Sequence, residues 1–67
     1  MNLKTDFTEK DCEYFREACN FTREELEVFD LRVKSHSITE IHQTIHLSVR
    51  TVERRIRSIK RKIEQVL

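Results

Sequence analysis

Apolar residues recur along the chain at steps of three and four, in four separate stretches. Cys12, Phe15 and Cys19 (or Ala18) share one face of a helix expected over Thr8–Cys19. Leu26, Phe29 and Val33 do the same over Thr22–Val33, with Val28 at the margin. Ile38, Ile41 and Ile45 line a short helix over Ser37–Ile45. Val52, Ile56, Ile59, Ile63 and Val66 line a longer one from Val49 to Leu67. This spacing is the period of an amphipathic helix, so each stretch predicts a helix with one buried stripe.

Each predicted helix opens on a hydroxyl residue with a partner three places on: Thr8 with Asp11, Thr22 with Glu25, Ser37 with Glu40, Ser48 with Thr51. In the first three the pair is a capping box. The hydroxyl satisfies the amide of the third helical residue, and the carboxylate reaches back to the cap's own amide. Glycine and proline are both absent, so only these polar caps punctuate the helices. The fold expected is all-α: a small four-helix domain joined by Asn20-Phe21, Lys34-Ser35-His36 and His46-Leu47-Ser48. Leu47 is expected to plug the angle between the last two helices. His46 is expected to take the left-handed conformation that a polar residue tolerates. Met1–Phe7 is expected to be frayed, with Phe7 as anchor.

The last two helices move the reading from fold to chemistry. A short scaffold helix, a tight joint and a basic second helix make a helix-turn-helix, the arrangement that lays one helix in the DNA major groove. Opposite the isoleucine stripe, Arg50, Arg54, Arg57 and Arg61 repeat at four, three and four. Arg55, Lys60 and Lys62 flank that row. Arg50, Glu53 and Arg54, near the helix start, are the candidate base readers. Arg57, Lys60 and Arg61 are candidate phosphate contacts. Ser48 and Thr51 cap the helix and stand where a phosphate would meet its N-terminus. The competing reading is a solvated charged face. The helix-turn-helix frame and the scarcity of acidic partners (only Glu53 and Glu64 in this helix) weigh against it.

Net charge is only +1, and its distribution matters more. Residues 1–30 hold four basic and nine acidic side chains, whereas residues 49–67 hold seven basic and two acidic. The chain is therefore an electrical dipole that orients itself toward a polyanion. At 67 residues it is long enough for one domain, 1–67, that buries roughly 60% of its unfolded surface. It carries no secretory signal pattern and no run apolar enough to cross a bilayer, so a cytoplasmic protein is expected. Cys12 and Cys19, seven residues apart on one helix, would lie ~10.5 Å apart, beyond disulfide reach, and read as reduced core thiols.

No enzyme is expected, for want of a nucleophile–base constellation, a glycine-rich phosphate loop or a dense carboxylate site. No cofactor is expected. His42 and His46 have the spacing of metal ligands on a helix, but no compact Cys/His cluster accompanies them, so no metal site is expected. His42 is expected to be a half-buried filler. Phe7, Tyr14, Phe15, Phe21 and Phe29 are core candidates and not a base-stacking platform, with an exposed Tyr14 as the alternative for that residue.

Phe21, Thr22, Glu25, Glu27, Val28, Phe29 and Leu31 follow the order Leu-Thr-x-x-Glu-x-Glu-Val-Leu-x-Leu. Ser37, Ile38, Glu40, Ile41, His42, Ile45, Ser48, Thr51, Val52 and Glu53 follow Ser-Asn-x-Glu-Ile-Ala-x-x-Leu-x-x-Ser-x-x-Thr-Val-Lys, and Ile59, Lys62 and Ile63 a later Ile and Lys-Leu. On these residues the chain from Phe21 onward resembles the DNA-binding domain of LuxR-type (GerE-like) transcriptional regulators. The resemblance implies a bacterial or phage regulator that binds double-stranded DNA. It implies a GerE-like core over 21–63, preceded by an extra acidic helix within 1–20, with residues 49–67 as recognition helix. The fourth region of sigma factors shares this architecture.

Four departures bear on that likeness. His36 replaces the family's glycine, so the turn into the third helix must differ or accept a positive φ. His42 replaces a small alanine, and Glu53 replaces the usual lysine. The family's terminal helix has no counterpart here, so its dimer geometry is not carried over. Ile63, Val66 and Leu67 are expected either to meet the first helix or to pair with a second copy. The alternative functional reading is a protein-interaction module, an adaptor or anti-activator that contacts the transcription machinery through its acidic first helix or apolar tail.

Overall fold

In a computed structural model describing all residues 1–67, the chain forms four helices and no strand: α1 (Glu9–Ala18), α2 (Arg23–Val33), α3 (Ile38–Ile45) and α4 (Val49–Val66). The caps fall where the hydroxyl residues predicted them. Thr8, Thr22 and Ser37 each accept from the amide three residues on, and Asp11, Glu25 and Glu40 return a carboxylate to the cap's amide. Three complete capping boxes explain how short helices begin sharply in a chain without proline. His46 ends α3 in the left-handed region at φ 58° and ψ 30°, letting α3 and α4 meet across only His46-Leu47-Ser48. The second left-handed residue is Ser35, at φ 72°, and not His36. The reversal before α3 therefore lies one residue earlier than the sequence suggested.

α4 is the longest element and packs against each of the other helices. Its 18 residues make about 27 Å of helix, nearly the 29 Å long dimension of the whole molecule. The inward stripe Val52, Ile56, Ile59 and Ile63 is buried together with Phe15, Val28, Phe29 and Ile41. Ile63 is covered within the chain itself, and the Tyr14 hydroxyl of α1 donates to the Val66 carbonyl. The final turns thus lie against α1. Val66 is half-buried, and Leu67 remains largely exposed.

Two expectations about the core need correction. Val28 is fully buried, whereas Leu26 and Val33 are only half-buried. The buried face of α2 is centred on Glu25, Val28 and Phe29, a three-and-four set that includes a carboxylate. Met1–Phe7 is not frayed. The Asn2 side chain accepts from the Lys4 amide, the Asn2 carbonyl accepts from the Thr5 and Asp6 amides, and Asp6 accepts from the Asn2 amide. This turn drives Leu3 into the core, and Phe7 stacks edge-on against Phe15.

The left-handed His46 carries a testable cost. A side chain with a Cβ is disfavoured there, and glycine is not. The imidazole of His46 is exposed. His46→Gly is therefore expected to stabilise the fold by roughly 0.5–1 kcal/mol, visible as a rise of a few degrees in the thermal midpoint by circular dichroism. An unchanged or lower midpoint would mean the joint carries no such strain.

Candidate nucleic-acid interface

The opposite side of α4 is defined by what its inner side is tied to. Arg55 donates to Glu24 at 2.5 Å, linking α4 to α2. Lys62 donates to Glu25 at 2.6 Å and to the Asn20 carbonyl at 2.7 Å, and Ser58 donates to the second oxygen of Glu25. Glu25 is 3% exposed. Burial alone would raise its pKa. The hydrogen bonds from Lys62, Ser58 and the Thr22 amide outweigh that and hold it down to about 2. Arg55, Ser58 and Lys62 stand on the flank of the helix that faces α2. Together with the buried stripe they fix the rotation of α4 about its own axis.

Arg50, Arg54, Arg57 and Arg61 are exposed, and none of them enters an ion pair. They lie along one side of α4 over about 16 Å, eleven residues at 1.5 Å each. Lys60, on the other flank, is half-buried and also unpaired. Seven cations in the helix therefore divide into five without an acidic partner, four of them exposed, and two, Arg55 and Lys62, drawn to acidic side chains of α2. Charge within α4 alone does not reveal this division, because both carboxylate partners lie on α2. The signal was available: Glu25 sits three and four places before Val28 and Phe29, on the inward face.

Ser48 and Thr51 are engaged with each other. The Ser48 hydroxyl accepts from the Thr51 amide at 3.1 Å and donates to the Thr51 hydroxyl at 2.8 Å. Capping is their visible role. The first turn of α4 holds no acidic residue, unlike those of α1, α2 and α3. Its N-terminal amides thus present positive potential without a neighbouring carboxylate to cancel it. Glu53, just beyond that turn, is exposed and unpaired.

The other candidates take structural places. The His42 ring donates through Nδ1 to the Leu47 carbonyl and so staples α3 to the joint. His36 stands 3.7 Å from Glu40. Cys12 and Cys19 are free and buried. Burial pushes both thiols up in pKa, which keeps them protonated and poorly nucleophilic. Of the aromatic core candidates, Tyr14 is exposed. A pocket near Phe7, Cys12 and Val33 lies between α1 and the end of α2, and no residue of α4 lines it. No helix is long and apolar enough to cross a membrane. Comparison with protein-family models, curated proteins and solved structures finds no match to the chain.

Proposed function

We propose that the chain is a sequence-specific DNA-binding transcriptional regulator of the GerE-like helix-turn-helix type, acting in the cytoplasm, that seats α4 in the major groove of duplex DNA. One observation carries this reading. Four arginines stand exposed and unpaired along the side of α4 away from its buried stripe, while Arg55 and Lys62 of the flank facing α2 are paired with carboxylates of α2. A guanidinium fork fits phosphate oxygens or the O6/N7 edge of guanine through two hydrogen bonds. Arg50, Glu53 and Arg54 meet base edges, and Arg57, Lys60 and Arg61 meet phosphate. The N-terminus of α4, capped by Ser48 and Thr51, approaches a phosphate.

The test is a duplex titration at several salt concentrations. Each phosphate contact releases about 0.9 counterion, so the three phosphate-facing cations give a log–log slope of about −2.7, a fall of roughly 40-fold between 50 and 200 mM salt. A slope near zero, or no retained duplex, counts against the reading. Retention of a transcription protein but no duplex would favour the adaptor reading, for which Glu9, Glu13 and Glu17 of α1, exposed and unpaired, form a natural contact row.

A further inference from the structure

Glu53 is a carboxylate set among cations. Arg50 lies one turn before it, Arg57 one turn after it and Arg54 beside it, and all four are exposed. A glutamate four places before an arginine has the favoured orientation for a helical ion pair. The chain forms one helical ion pair at this spacing elsewhere, Arg23 with Glu27, and does so in the less favoured order. Glu53 forms none, with Arg57 or with any other cation. Its oxygens are left to solvent.

A face serving only to hold phosphate is weakened by that carboxylate. It lowers the charge of the row and is repelled by both walls of the groove. Its position is also specific. It stands just past the first turn of α4, in the part of a groove-seated helix that reaches base edges. A negative group there meets the floor of the groove.

We propose that Glu53 is a specificity-determining residue of the interface, accepting a hydrogen bond from the N4 amino group of one cytosine and rejecting the other bases. This rests on the DNA-binding reading above. Only cytosine N4 and adenine N6 offer donors in the major groove. Adenine places its N7 lone pair beside the amino group, and guanine and thymine present acceptors alone. A carboxylate is therefore matched at cytosine, poorly matched at adenine and repelled at guanine and thymine. The arginines beside it have the opposite need and suit guanine. A single acceptor within a row of donors turns a general polyanion surface into one that discriminates, because every wrong sequence leaves a desolvated charge unpaired. The same charge weakens binding to random duplex, which widens the gap between right and wrong sites.

The experiment is a selection from a random duplex pool at fixed salt, run in parallel on the wild-type chain, E53Q and E53A. Affinities are then measured for the wild-type motif and for the three base-pair changes at its cytosine position. The wild type is expected to require one C·G pair, with at least about a fivefold loss for each alternative. E53Q is expected to move that position toward A·T, since a glutamine amide matches adenine N6 and N7. E53A is expected to accept all four pairs there. Both variants should keep the guanine positions read by arginine, bind random duplex more tightly than wild type, and melt at the wild-type temperature. Variants that enrich the wild-type motif unchanged, with uniformly higher affinity, overturn the inference and leave the DNA reading intact. A wild-type chain that retains no duplex ends the DNA reading itself, and this inference with it.

Discussion

Glu25→Ala is expected to cost about 3 kcal/mol of folding stability, a fall of roughly 12–24 °C in the thermal midpoint for a domain of this size. The substitution leaves the Lys62 ammonium, 28% exposed as a side chain, without its counter-charge. It also removes the acceptor of the Ser58 hydroxyl and the return half of the Thr22 capping box. Removing one partner of a buried pair costs more than the pair contributes, because the remaining charge is stranded. Lys62 can still reach water and the Asn20 carbonyl, which places the effect toward the lower end of the usual range. Glu24→Ala is the control. Its pair with Arg55 is more than a third exposed on both sides, so it should cost less than about 1 kcal/mol. Equal midpoints for the two variants would mean that Glu25 does not anchor α4.

The same group sets an acid limit. A carboxyl with an ordinary pKa of 4.5 is held at about 2 in the fold. The stability it contributes is fully present above the unfolded value and is lost as pH falls through the folded one. The window therefore runs from about pH 4.5 down to about pH 2 and spans up to about 3 kcal/mol. Glu25→Gln should flatten the stability profile across that window, measured by urea unfolding at stepped pH. Some slope should remain, since the Ser37 amide also lowers the Glu40 carboxyl. An unflattened profile would assign acid sensitivity to other carboxylates.

These effects bear on what a chain reveals before it folds. Helix starts were legible because the deciding interaction is local: a hydroxyl and a carboxylate three residues apart on one turn. The stripe of α4 was legible because one helix buries it along its whole length. The left-handed His46 followed from the tightness of the joint. Leu3 was not legible. Its burial depends on an asparagine-centred turn that competes with simple fraying, and one apolar residue has no period. The Glu25 clamp was not legible as a cluster either. It joins residues 33 and 37 positions apart, and nothing short-range records that Lys62 will meet α2 and not solvent. Charge counted along one helix therefore overstated the surface available to a polyanion by two cations.

That division yields the largest functional effect. Replacing Arg50, Arg54, Arg57 and Arg61 together by glutamine is expected to lower duplex affinity by about three decades at 0.1 M salt, through lost base and phosphate contacts together, and to bring the log–log slope from about −2.7 to near −1. Lys60 is then the only free cation left on the helix. The thermal midpoint should stay within a few degrees, because none of the four touches an acidic partner in the fold. Glutamine keeps good helix propensity, so loss of helix is not the cause of any change. Arg55→Gln is the mirror case. It releases Glu24 and should lower the midpoint slightly while leaving the salt slope unaltered. If Arg55→Gln reduces the slope as much as one row arginine does, the Glu24 pair opens on binding and α4 offers DNA more than its outer face. If the fourfold variant binds duplex as the wild type does, the exposed row is only a solvated surface, and the acidic face of α1 becomes the place to look for a partner.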